Sequence, residues 1–318
     1  MVFETFRNYT DSNNQNTIED TYKLMYTNQT SYYVKNCINN YSIVRNMYNV
    51  WDIIDKLNNI YDESDPDNDL PQIYHAYQTA ESIRNNYFDK NGNFKDNNYI
   101  TDLFSKEEWN NLPDIYKRQY NTDLKTFYSD VFYWEWFILV GFIHDFGKVL
   151  LLDEFGGLPQ WSVVGDTFPV DYPLSNNVVF YDKNYHLNNT CLNNTCLKNT
   201  CLKNKKQENN IGFEKHLFSY GHDEYFATVL ERTLNYIPKE GIYVVRFHSF
   251  YPWHTPKNNN RGYTEIASAW DWHMLPLLKA FQKADLYSKT KELPDVNDIK
   301  TKYDLLIKKY FIDYEFLL

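Results

Sequence analysis

Six residues in this chain have side chains able to hold metal ions together: His75, the adjacent pair His144-Asp145, His222, His248 and Asp285. All fall on segments whose apolar spacing at three and four residues reads as buried helix. Imidazole and carboxylate donors without a thiolate suit iron, manganese or another borderline-to-hard ion and argue against a structural zinc site. Neighbouring positions on a helix point about 100° apart, so His144 and Asp145 reach one cavity only if it lies against that face. A pair of ions beside the helix meets this need, the imidazole taking one and the carboxylate spanning both. Taken singly, a histidine of this kind is more often a hydrogen-bonded core residue than a ligand, and spacing alone leaves both readings open. His186, His216, His254 and His273 read as non-ligands, with His254 structural or behind the cluster.

Helix dominates the pattern that must position these residues, and alternating runs are few, so the fold class is mainly α with a few short strands. Helices are predicted from a Thr17 cap to about Asn36, over Met47–Ile60, around His75, over the strongly apolar Asp130–Leu152, and starting near Ser219, Lys239, Ala267 and Asp298. The Asp62–Asp67 segment breaks helix, because Pro66 disfavours αR in its predecessor and Asp and Ser favour turns. Residues 161–182 mix Gly, Pro and short Val/Phe runs, which predicts loop with one small hairpin.

Two stretches look inserted. The first, at about 86–129, is polar and Asn-rich, with one or two short helices expected. In the second, at about 183–210, Cys191, Cys196 and Cys201 recur every five residues in Thr-Cys-Leu units. That spacing fits neither a zinc site nor a disulfide framework. No linker separates two cores, so residues 1–318 read as one domain carrying two insertions.

Composition bounds the rest. Aromatic residues make up 18% of the chain, with Tyr 29 and Phe 21, so aromatic packing must supply much of the core. A formal net charge of −10 leaves no basic surplus for a nucleic-acid backbone or an anionic membrane. The most apolar run, Phe132 to Ile143, carries Glu135 and is shorter than the roughly 20 residues of a membrane span. Met1 to Thr10 holds no apolar signal region, so the expected location is the cytoplasm.

The ordered pattern His, His-Asp, His, His, Asp resembles the HD-domain superfamily, and the flanking residues narrow the resemblance to the myo-inositol oxygenase family. The segments that carry it include Phe6-Arg7-Asn8-Tyr9-Thr10, Asp62-Glu63-Ser64-Asp65-Pro66-Asp67, His75-Ala76-Tyr77-Gln78-Thr79-Ala80-Glu81 and His144-Asp145-Phe146-Gly147-Lys148. Further on come Pro159-Gln160-Trp161-Ser162-Val163-Val164-Gly165-Asp166-Thr167-Phe168-Pro169-Val170, Gly221-His222-Asp223-Glu224-Tyr225, Arg246-Phe247-His248-Ser249-Phe250-Tyr251-Pro252-Trp253-His254 and Asp285-Leu286-Tyr287-Ser288-Lys289. The likeness covers nearly everything except the two insertions.

That resemblance implies an HD-domain-like helical bundle and a mixed-valent Fe(II)/Fe(III) pair. His75, His144 and Asp285 would hold one ion, His222 and His248 the other, and Asp145 would bridge them. It implies ring cleavage of myo-inositol by O2 to D-glucuronate and water, with Asp145 and Lys148 catalytic. Substrate contacts would come from Arg7, Asp62, Glu63, Ser64, Lys148, Gly165, Asp166, His248, Ser249 and Lys289, and the protein would be a monomer. Without the resemblance, Asp62 to Ser64 read as a turn and cap, Gly165-Asp166 as a turn and Lys148 as a surface lysine. Two alternatives keep the same ligand order: an HD-domain metal-dependent phosphohydrolase, and a catalytically silent metal-binding interaction protein.

Overall fold

The computed structural model describes residues 9, 14–41, 46–67, 70–131, 133–189, 209–287, 296–312 and 315–317. Arg7, Lys289 and the three repeat cysteines lie outside them.

The chain begins with two helices, α1 (Gln15–Asn28) and α2 (Ser31–Tyr41), where a single helix to Asn36 is predicted. Gln29 causes the break. Its side chain donates to the Ser162 and Tyr220 carbonyls and accepts from the Tyr220 N–H, each at 3.1 Å. The Thr30 hydroxyl then accepts from the Tyr33 N–H at 3.1 Å, a capping bond that starts α2. Met47–Asn49, predicted to open a helix, instead forms strand β1, antiparallel to β2 (Glu315–Leu317). Helix α3 (Val50–Leu57) starts where the Asn49 side chain accepts from the Trp51 N–H at 2.9 Å.

Helix α4 (Gln72–Tyr87) carries His75. The 86–129 segment holds more helix than its composition predicts: a 3-10 turn at Ile100–Leu103, then α5 (Lys106–Asn111), α6 (Asp114–Gln119) and α7 (Leu124–Phe127). Ser105 and Glu108 close a capping box on α5. The long helix predicted over 130–152 is shorter and in two parts. Helix α8 spans Glu135–Ile143, and a 3-10 turn runs from Phe146 to Leu151.

After α9 (Gln160–Val163) no strand of the predicted hairpin forms among the described residues. Residues 168–170 pair instead with 217–219, through Val170 N–H to Leu217 and Ser219 N–H to Phe168. The helices predicted over the rest of the chain start within three residues of their expected positions, α10 (His222–Arg232), α11 (Lys239–Phe247), α13 (Ala269–Tyr287) and α14 (Val296–Tyr310), with the short α12 (Tyr251–His254), which the spacing does not predict, between α11 and α13.

The architecture is mainly α. Helix α8 is its axis, buried at every position from Trp136 to Ile143 and packed against α4, α11 and α14. A helix apolar on all faces has to be central. Helix α13 closes over α4 and α11, and α10 lies against α11 and the 3-10 turn that follows α8. The centre of this bundle is where the six singled-out residues meet. Among the described residues no helix is long and apolar enough to cross a membrane.

Candidate metal centre

His75 projects from α4, His144 caps the end of α8, and Asp145 opens the 3-10 turn with φ −92° and ψ 4°. Ending the α-helix at this pair lets two adjacent residues serve one cavity, which a continuous helix would hinder. His222 begins α10, His248 follows α11, and Asp285 sits in the last turn of α13. The turn after Asp145 approaches α10 so closely that a Cβ at Gly147 would lie 2.1 Å from the His222 carbonyl oxygen, so only glycine fits there. All six residues are buried.

Asp145 divides the cluster in two. Its Oδ2 faces His144 Nε2 at 3.5 Å and His75 Nε2 at 3.8 Å, while Oδ1 faces His222 Nε2 at 3.2 Å and His248 Nε2 at 3.6 Å. Asp285 Oδ1 completes the first group, 2.8 Å from His75 Nε2 and 3.5 Å from His144 Nε2. Asp223 stands in the second group, with Oδ1 2.6 Å from His222 Nε2 and 3.8 Å from His248 Nε2. Its other oxygen accepts from the Thr167 hydroxyl at 2.7 Å and the Ser249 N–H at 3.3 Å.

The histidine tautomers follow from their outer bonds. Nδ1 donates to the Gly141 carbonyl in His144 (2.9 Å), to Val163 in His222 (2.7 Å) and to Val245 in His248 (2.8 Å). A ring so held, if it carries no second proton, turns a lone pair inward at Nε2. The Nε2 atoms of His222 and His248 lie 3.2 Å apart, two lone pairs aimed at one space that only a proton or a cation reconciles.

Charge is concentrated to match. Burial alone would push Asp145 up, but His144 and Lys148 hold its carboxyl well below the usual carboxylate range. Asp285 is likewise held well below it against burial, by His75 and His144. Burial would lower His222, yet Asp223 and Asp145 push it up to about 10. Such a site attracts cations. Three groups of donors lie within 4.8 Å of one another: His75 with His144 and Asp285, His144 with Asp145 and His248, and His222 with Asp223 and His248. Among the described residues the cluster has four imidazoles and three carboxylates and no sulfur, a donor set that fits a borderline-to-hard metal.

Asp62, Ser64, Lys148, Gly165, Asp166 and Ser249, all singled out in the sequence, also line the cavity. Lys148 Nζ donates to Asp62 (2.8 Å), Asp145 (2.9 Å) and Gln72 (2.8 Å), so it is an interior residue rather than a surface lysine. Asp62 accepts from the Ser64 hydroxyl at 2.6 Å and from its N–H at 2.8 Å. Gly165 has φ +94°, a backbone state that favours glycine beside Asp166. Glu63 is not brought in: it is exposed, and its N–H meets the Gln160 side chain, because the turn that inserts Asp62 and Ser64 points the residue between them outward.

Sequence reasoning missed several residues of the site. Asp223 follows His222 and makes a second His-Asp pair, a repetition visible in the sequence. Gln72 lies three residues before His75, on the same helix face. Tyr22 donates to Asp166 at 2.8 Å, and Tyr9 and Tyr251 also line the cavity, with no spacing signal to mark them.

The arrangement has relatives. The family model for myo-inositol oxygenase matches residues 15–134 and 119–316. An inositol oxygenase of Danio rerio is 37% identical across 96% of this chain and 90% of its own length. One from Dictyostelium discoideum is 36% identical, covering 97% and 88%, and one from Homo sapiens is 35% identical, covering 96% and 88%. A match of this extent, over a chain whose buried His/Asp cluster could hold metal, shows that the chain belongs to the myo-inositol oxygenase family.

Proposed function

We propose that this chain cleaves the ring of myo-inositol with O2, giving D-glucuronate and water, at a centre holding two iron ions in the Fe(II)/Fe(III) state. One ion is assigned to His75, His144 and Asp285, the other to His222 and His248, with Asp145 between them. The observation that carries this reading is the division of Asp145, one oxygen toward each histidine pair. When bound, iron supplies Lewis acidity toward a substrate hydroxyl and the redox capacity that O2 chemistry demands.

The chain's own residues bind, orient and hold protons. Burial would push the Lys148 ammonium down, but Asp145 and Asp62 hold it well above the usual lysine range, so it stays positive beside Asp145 and favours loss of a proton from a hydroxyl placed there. Asp62, Ser64, Asp166 and Ser249 offer acceptors and hydroxyl donors along the cavity wall. A neutral polyol needs such partners, because its hydroxyls are costly to bury unpaired. Asp223 is anchored by Thr167 and Ser249 beside His222 and His248 and balances positive charge on that side. Arg7 and Lys289 are assigned to the substrate contacts by the family motif alone. The protein is further assigned to the cytoplasm, as a monomer with a single domain bearing two insertions.

Oxygen uptake by the Fe(II)-loaded chain given myo-inositol, with glucuronate followed in parallel, tests the reading. One-to-one stoichiometry, lost in His222→Ala, is expected. Iron bound without uptake would overturn the oxygenase assignment, and O2-independent release of phosphate from an ester would point to the phosphohydrolase.

A further inference from the structure

Helix α13 delivers Asp285 to the centre, yet Pro276 interrupts it in mid-course. Proline has no N–H and its ring crowds the carbonyl four residues back, here that of Trp272. Residues of the 86–129 segment close the gap. Tyr120 donates its hydroxyl to the Trp272 carbonyl. The Tyr128 hydroxyl donates to the His273 carbonyl at 2.6 Å and accepts from the Leu277 N–H at 3.3 Å. Tyr116 stacks on Trp272 with ring centroids 4.4 Å apart. The segment is thus bonded to the backbone of α13 at the point where the helix cannot satisfy itself.

A second connection is made by charge. Glu108 of α5 meets Lys279 of α13 at 2.9 Å and Arg261 at 3.4 Å, with side-chain exposures of 11%, 7% and 7%. Lys279 also donates to the backbone carbonyl of His254 at 3.0 Å. His254, fully buried, lies 2.8 Å through Nε2 from the carbonyl of His248. A carbonyl only accepts, so Nε2 carries the proton, and Nδ1 accepts from the Thr255 hydroxyl at 2.9 Å. His248 stands at the end of α11, where carbonyls lack an intrahelical donor. Its ring is held by Val245 and its peptide by His254, and the second hold leads back to Glu108.

We propose that the 86–129 segment is a positioning element for the metal centre, in which Glu108, through Lys279 and His254, sets the place of His248. The inference rests on the reading of the His/Asp cluster as a two-ion site. Under it, the relay bears on the ion held by His222 and His248 and leaves the other untouched. Outer contacts of metal ligands change affinity by about 10–100-fold when removed.

The test is anaerobic titration of the metal-stripped full chain with Fe(II), counting ions bound and their affinities, alongside thermal unfolding. His254→Phe keeps the bulk of the ring and loses the donor; His254→Gln returns a donor at a similar reach. In His254→Phe one ion should bind as in the unsubstituted protein and the other at least about tenfold more weakly. His254→Gln should recover most of that loss, and Glu108→Gln should weaken the same ion by less. The proposal is overturned if His254→Phe binds both ions normally, if both weaken equally, or if His254→Gln is no better although folded. Should His254→Phe fail to fold, Glu108→Gln decides alone: weakening of both ions or of neither overturns it. Failure of the unsubstituted chain to bind two ions would instead sink the metal-centre reading, and would be seen before any variant is made.

Discussion

The metal-facing core and the 86–129 segment are built on opposite terms. In the core, charged and imidazole groups are buried at full cost and held by helices α4, α8, α10, α11 and α13, with backbone carbonyls fixing three of the rings. In the segment, α5 and α6 have no buried residues of their own, and helices this short are marginal alone. What holds them is docking. Phe104, Tyr120 and Tyr128 are buried between the short helices and α13, and tyrosine hydroxyls reach the helix backbone. The core therefore depends on charge balance, whereas the segment depends on apolar contact and on a few hydroxyls placed at one proline.

Substitutions that separate these dependences should differ in kind as well as size. Asp145→Asn should have the largest effect, since it removes the charge that faces both histidine pairs while keeping the shape. Loss of a shared ligand should exceed the about 100-fold loss of affinity that outer contacts reach, so the variant should retain less than one iron per chain and show no measurable turnover. Two irons retained in Asp145→Asn would mean that Asp223 and Asp285 suffice to hold them. Tyr128→Phe should act on stability instead. It strips the partner from the His273 carbonyl and the Leu277 N–H, a loss of about 1–3 kcal/mol by urea unfolding, with iron content at saturation unchanged. No loss would show that the backbone near Pro276 is satisfied without the segment.

How much of this was legible in the sequence follows the same division. Residues chosen for charge and donor type could be read: His75, His144, Asp145, His222, His248 and Asp285 all meet, as donor chemistry and the family resemblance predict. Apart from the short α12, the helices from 222 onward were legible from apolar spacing and proline punctuation. Other features depend on contacts distant in sequence, which periodicity cannot register. Gln29 breaks the first helix because its side chain bonds to residues 162 and 220. Residues 168–170 find their partners at 217–219, so a local hairpin was the wrong expectation. Apolar continuity through Phe146, Val149 and Leu150 hid the end of α8, because the 3-10 turn buries the same residue types. The tyrosines of the polar, Asn-rich 86–129 stretch were visible, but the backbone carbonyls of α13 that Tyr120 and Tyr128 reach lie too far along the chain for a local pattern to show.

The smallest expected effect, a slope in pH, tests whether the ionic link between the two regions is an ordinary ion pair. Burial pushes the Lys279 ammonium down to about 8; Glu108 pulls against it, and Arg261 adds to the depression. In the unfolded chain a lysine titrates near about 10.4. Below pH 8 Lys279 is charged in both states, and the cost of keeping that charge in the interior is fully present. Between about 8 and about 10.4 the unfolded chain binds a proton that the folded chain has released, so linkage makes this contribution to stability rise with pH. Lys279→Met removes the titration. The unsubstituted protein should therefore gain stability relative to Lys279→Met as pH is raised through that window, measured by urea unfolding at constant ionic strength. Parallel curves would mean that Glu108 keeps Lys279 charged throughout, and that the segment is tied to α13 by a simple ion pair whose loss the hydroxyl contacts of Tyr120 and Tyr128 could absorb.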